Sequence, residues 1–222
     1  MSNKAARKPQ ARARAVGTHF DGDLRRILID AAAQTISEVG CDRLSLRDVA
    51  RRVGVSHAAP AHHFGDKAGL LTAIAAEGFH RFIDHMATAV ASPAANPRAM
   101  LIGLGRAYAE FAESQPGYFD VMFRPALIHT EDPDYLEASD AAFAALLAVV
   151  EMCQRAGWNT GGDSRAIAAA TWSFAHGITV LRQYGSLQRH FPDPTLDAVT
   201  TIASTLLAGA ELPETTTPSR VR

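Results

Sequence analysis

Cysteine, aromatic residues and unbroken apolar stretches are all scarce in this chain. Its two cysteines, Cys41 and Cys153, stand far apart without a CxxC partner, which argues against a disulfide framework or a zinc finger. Each is either a buried inert thiol or a redox-sensitive one. No window reaches the roughly 18 consecutive apolar residues of a membrane helix, and no apolar run follows the basic amino terminus, so neither a secretory signal nor a membrane anchor is expected. Cytoplasmic residence follows. The chain also lacks a Gly-x-Ser-x-Gly elbow, a phosphate-binding glycine loop and an HExxH pair. Glu110 and Glu113 share a helix face without the Glu-x-x-His partners of a di-iron bundle. His80 and His85, five apart, are poorly spaced for joint ligation. No catalytic residue, cofactor or bound metal is therefore expected. Period-two alternation is absent, as is any internal repeat, so a sheet is not predicted.

Charge of one sign is lacking only in sum. The formal net charge is −1, yet residues 1–67 carry 12 Lys/Arg against 7 Asp/Glu and the remainder 10 against 16. The two parts thus stand at +5 and −6. A basic front on an acidic remainder suits a molecule that meets phosphate at one end. Residues 1–19 hold Lys4, Arg7, Lys8, Arg12 and Arg14 with no acid before Asp21. They are predicted to be a disordered arm, either entering a minor groove or serving as a solubilising tail.

The densest information lies between Leu44 and Lys67. Ser45 is placed as an N-cap, with Asp48 three residues on near the positive end of the helix dipole. Leu46, Val49, Ala50 and Val53 follow at i, i+3, i+4 and i+7, one buried stripe. Arg47, Arg51 and Arg52 fall outside it, free to meet an anion. Gly54 stops the helix, Val55 anchors the turn and Ser56 is placed as a second N-cap. A short helix then reaches Phe64, too short to stand alone. Two short helices across a tight glycine turn form a helix-turn-helix, whose second helix enters the DNA major groove. Upstream, Leu24, Ile27, Leu28, Ala31, Thr35 and Val39 share one side of a helix ending at Gly40. Downstream, Asp66 is placed to cap a long helix from Lys67 to about Val90.

The opening helix with Ile29, Ala31 and Ala32, Gly40, the Ser45–Ala50 run, Gly54–Val55–Ser56, His63–Phe64 and Lys67 with Leu70–Leu71 recur in order and spacing. In these residues the chain resembles the TetR family of bacterial regulators. The resemblance implies an all-α fold of about nine helices, a three-helix DNA-binding head over 20–66, a ligand-binding and dimerisation body over 67–212, and a tail over 213–222 predicted to be disordered. It implies a ligand-released repressor that binds a palindromic duplex operator as a homodimer, with a small-molecule effector. Most members carry a tyrosine where this chain has Ala61, so no phosphate contact carries over to that position. Pro60 removes an N–H from the short helix, so its first turn is either distorted or starts later. Within the head, Ser45, Arg47, Ser56 and Lys67 are assigned to phosphates. His57, Ala58, Ala59 and His62 are assigned to base edges, with His63 beside them on the DNA backbone.

The remainder is punctuated by Pro and Gly into helices near 97–114, 117–124, 133–156, 163–184 and 194–210. Ile167, Thr171, Phe174, Ile178 and Leu181 step by three and four in one. Leu196, Val199, Ala203, Leu206 and Ala210 do so in the next. The family resemblance implies that these last two helices pair with a second copy in a four-helix bundle, the alternative being a seam within one chain. Trp172, His176 and Gly177 resemble the Trp–His–Gly signature of one subgroup of ligand domains. Trp172 and His176, four apart, are either a wall for a small aromatic or amphipathic ligand or a self-satisfied core pair. Tyr108, Phe111, Met122, Phe143 and Leu147 are further ligand candidates, and His129 is a loop histidine placed to gate entry. Two other readings stay open: a helical dimer that has lost operator binding, and an all-α enzyme.

Overall fold

A computed structural model describes residues 10–90 and 97–190. Among these residues there are eight α-helices and no strand. They are α1 (Gln10–Val39), α2 (Leu46–Val53), α3 (Ala59–Phe64), α4 (Lys67–Val90), α5 (Pro97–Ser114), α6 (Pro116–Met122), α7 (Pro133–Arg155) and α8 (Ser164–Gln183), with short 3₁₀ turns after α1, α6 and α8. Residues 1–9 of the expected arm, the helix expected near 194–210 and the tail lie outside the described residues. Helical geometry begins at Gln10, inside the segment whose composition predicts an arm. The alternating Ala and Arg of residues 11–15 are strong helix formers.

The chain divides into two compact units, residues 1–82 with 113–142 and residues 83–112 with 143–222. In the first, α1 is the hub, packed against α2, α3 and α6. Its buried residues are Leu28, Ile29, Ala32, Ala33 and Ile36, whereas Ile27 and Val39 are 47% and 41% exposed. The buried face is thus turned from the stripe that spacing alone predicts. One helix with neighbours on several sides buries a wider arc than one lying on a single surface. The approach of α6 is close enough that a Cβ on Gly117 would stand 1.9 Å from the Ala33 carbonyl oxygen. From α4 come Leu70, Leu71 and Ile74, and from α6 Tyr118, Val121 and Met122, all buried.

Polar ties hold the same helices. Tyr118 donates to Asp30 at 2.6 Å, Arg81 pairs with Asp30 and Glu77, and its guanidinium lies 4.5 Å from the Tyr118 ring centre. The buried Cys41 thiol donates to Asp120 at 2.9 Å. Burial, then that carboxylate, pushes the thiol up to about 12. A thiol so held is inert near neutrality.

In the second unit, Met100 and Leu101 of α5 pack with Cys153 of α7, flanked by Val149 and Trp158. The α7–α8 turn is fastened by Gln154, whose amide donates to the Asn159 and Gly162 carbonyls at 2.9 Å and accepts from Ser164 at 2.7 Å. Asp163 caps α8 through the Ala166 N–H at 2.7 Å.

Candidate nucleic-acid interface and effector cluster

The helix-turn-helix is built by local chemistry. Ser45 has extended backbone and accepts from the Asp48 N–H at 3.2 Å, while its own hydroxyl donates to the Asp48 carboxylate. That hydrogen bond, with Arg51 at 2.7 Å, holds the Asp48 carboxyl below its usual range. Gly54 closes α2 at φ 78°, and the Gly54 and Val55 N–H groups return to the Arg51 and Ala50 carbonyls at 3.3 and 3.0 Å. This is the Schellman arrangement, which needs a residue without Cβ at the left-handed position.

Two expectations are corrected here. Arg52 is not free for an anion: it forks onto both carboxylate oxygens of Glu38 at 2.7 Å, clamping α2 to α1. Arg51 is likewise paired, with Asp48. Nor is Ser56 the cap of α3, since Ala58 holds that place without a side-chain bond and Ser56 offers only its carbonyl, to the Ala59 N–H at 3.0 Å. Pro60 explains the later start. It falls in the first turn, where its missing N–H would have had no helical partner.

The other head residues are distributed as follows. Arg47, Ser56, His57, Ala58, Ala61 and His62 are exposed; Ser45, Ala59, His63 and Lys67 are half-buried. Lys67 donates to the Asp42 carbonyl at 3.0 Å. His63 lies between His62 and Phe64, ring centres 5.5 and 6.0 Å away, and Arg25 stands 5.4 Å over Phe64. Asp66 caps α4 through the Gly69 N–H at 2.8 Å and meets His129 at 3.5 Å. Sequence reasoning had no access to Asp30 and Arg81, whose partners are 88 and 51 residues away. Arg25 was visible as one more helix cation, with nothing to mark Phe64 beneath it.

In the second unit, four of the ligand candidates meet. The Tyr108 hydroxyl is 2.9 Å from Nδ1 of His176, and Phe143 stacks on Trp172 with centres 5.9 Å apart and planes at 21°. Arg165 lies 5.3 Å over the Phe143 ring. Burial raises the Tyr108 phenol well above its ordinary range, opposed in part by a hydrogen bond with Trp172, and burial lowers His176. A neutral imidazole therefore faces a protonated phenol at pH 7. Leu147 is half-buried one turn beyond Phe143. Phe111 is buried with its ring 6.0 Å from His85. Met122 belongs to the first unit, buried beside Gly78. Of the pairing residues expected on α8, Ile167, Phe174 and Ile178 are half-buried and Leu181 is 46% exposed. Leu196, Val199, Ala203, Leu206 and Ala210 lie outside the described residues. Among the described residues no cluster of three His, Cys, Asp or Glu is placed to hold a metal, and no helix is long and apolar enough to cross a membrane.

Comparison with known proteins bears on these two units. Residues 28–74 match the bacterial regulatory proteins of the tetR family, and residues 101–206 match the tetracyclin repressor-like C-terminal domain. A protein of unknown function from Rhodococcus sp. RHA1 shares 35% identity over 83% of this chain and 93% of its own, with a TM-score of 0.72. The uncharacterised HTH-type transcriptional regulator YobS of Bacillus subtilis is 22% identical over 85% of this chain and 93% of its own. The HTH-type regulator BetI of Cronobacter sakazakii is 49% identical over 49 residues, 22% of this chain and 24% of its own. With a capped helix-turn-helix in a helical chain matched by both family domains, this protein belongs to the tetR family of DNA-binding transcriptional regulators.

Proposed function

We propose that the chain acts as a homodimer that holds a palindromic operator and releases it when a small molecule binds the second unit. The observation that carries this is the capped α2–turn–α3 module whose outer face, Ser56, His57, Ala58 and His62, is left exposed while its inner side is clamped to α1. Arg47 positions the backbone of the duplex, joined by the Lys67 ammonium donors that the Asp42 carbonyl leaves over, while the Ser45 hydroxyl serves the cap of α2; the α3 residues face base edges, where alanine methyls suit thymine. Paired heads then read two half-sites a helical turn or more apart. The effector is a small aromatic or amphipathic molecule, received by Trp172, Phe143, Tyr108 and His176. The Trp172–His176–Gly177 run supports the Trp–His–Gly subgroup. Release requires only that this molecule favour the state that does not hold DNA.

No catalysis is included. The Tyr108 phenol and the Cys41 thiol keep their protons near pH 7, so neither is poised as a nucleophile, and His176 Nδ1 is engaged with the Tyr108 hydroxyl. A second reading, a binding protein that has lost its operator, is favoured by Ala61, exposed on α3 without a hydroxyl. Selection of duplexes from a random library by the full-length protein tests both. A recovered palindrome supports the regulator, and Arg47→Ala should then weaken binding about tenfold or more without changing the mass of the dimer. Unchanged affinity would remove Arg47 from its assigned role.

A further inference from the structure

Between Arg52 and Lys67 the chain holds no lysine or arginine. The turn and α3 therefore present no permanent positive charge, and their exposed donors are Ser56, His57 and His62. Most charged groups on the packed elements already have partners, Arg47 of α2 being left exposed for phosphate. On α2, Asp48 is held by Ser45 and Arg51, and Arg52 is held by Glu38 of α1. On α1, Asp30 is taken by Tyr118 and Arg81, and Arg25 lies over Phe64, leaving Arg26 and Asp23 exposed. At the start of α4, Asp66 serves the Gly69 N–H and His129, and Lys67 the Asp42 carbonyl. In this setting an imidazole brought to a phosphate oxygen or to guanine O6 or N7 gains most as the imidazolium, which donates from both nitrogens.

We propose that His57 and His62 contact DNA acceptor atoms as imidazolium ions, so that operator binding takes up protons and the affinity of this regulator is set by pH. The inference rests on the reading of the chain as a duplex binder. An imidazole in water titrates near about 6.5. Bound to DNA acceptors it keeps its proton to higher pH, so affinity is full below the free value and is lost as pH rises through the bound one. For imidazoles in general, a bound state that holds its proton about one unit more tightly than the free one weakens binding about sixfold between pH 6 and 8, and about 40-fold for two such groups. His63, half-buried beside Phe64, is left out of this count.

The test uses the full-length protein and duplexes selected from a random library at pH 6 and, separately, at pH 8. Affinity for the selected duplex and for a scrambled one is followed by fluorescence anisotropy across that range at constant ionic strength. Wild type should lose about 40-fold, His57→Gln and His62→Gln about sixfold each, and the double variant almost nothing. Circular dichroism and dimer mass at each pH show that the variants are folded. A slope on both duplexes assigns the contacts to backbone oxygens; a slope on the selected duplex alone assigns them to base edges. A flat wild-type profile, or a slope that survives in the double variant, overturns the proposal while leaving the regulator intact. Recovery of no duplex at either pH overturns the regulator and the proposal with it.

Discussion

Arg52 and Cys41 are residues whose chemistry is decided by partners far along the chain. An arginine on a DNA-binding helix looks like a phosphate contact, yet Glu38 takes both ends of its guanidinium and makes it a strut between α1 and α2. A solitary cysteine looks like a redox switch, yet burial and Asp120 hold its proton. With the thiol at about 12, only about one molecule in ten thousand is thiolate at pH 8. Iodoacetamide at that pH should leave Cys41 unmodified in the folded protein and label it at once in denaturant, as read by mass spectrometry. Rapid labelling of the native chain would contradict the Cys41–Asp120 bond. The sign for stability follows: the raised thiol favours the fold at and below neutral pH, and that contribution is lost as pH climbs from about 9 towards 12.

At the scale of elements, close helix approach separates two glycines that look alike in sequence. At Gly117 a Cβ would meet backbone, the Ala33 carbonyl at 1.9 Å, so Gly117→Ala must push α6 off α1. A loss of about 3 kcal/mol or more is expected in chemical denaturation. At Gly78 the obstacle is the flexible Met122 side chain at 2.8 Å, and the better helix propensity of alanine offsets about 1 kcal/mol. Gly78→Ala should therefore cost clearly less. Equal losses would mean that α6 does not sit tightly on α1. The helices themselves were legible, because their ends are marked locally by Ser45, Gly54, Asp66, Asp163 and the prolines that open α5, α6 and α7. The buried face of α1 was not, since it depends on α6, more than 70 residues downstream, and spacing cannot report a second neighbour. The cap of α3 is not Ser56, although serine is a good cap by type; the later start that Pro60 allows is the one found. In the second unit the Trp172–His176 spacing was readable, but the meeting of Tyr108 with His176 and of Phe143 with Trp172 is tertiary.

For the whole molecule, the excess of basic residues lies in the part that includes α2 and α3 and the excess of acidic residues in the rest. That asymmetry suits the proposed phosphate-binding head and effector-binding body. If α8 pairs with a second copy, Leu181, 46% exposed in one chain, is covered in the assembly. Leu181→Glu should then halve the mass seen by light scattering at micromolar protein, while circular dichroism stays helical. A wild-type protein that is already monomeric would remove the paired heads.

The most direct test of the central claim is the salt dependence of duplex binding by the wild-type protein. Two heads making some 6–10 phosphate contacts should bind a selected duplex tightly at about 50 mM salt and lose about 10³–10⁵ in affinity by about 200 mM, linearly in the logarithms. No retention of any duplex at the lower salt, or an affinity indifferent to salt, would contradict it.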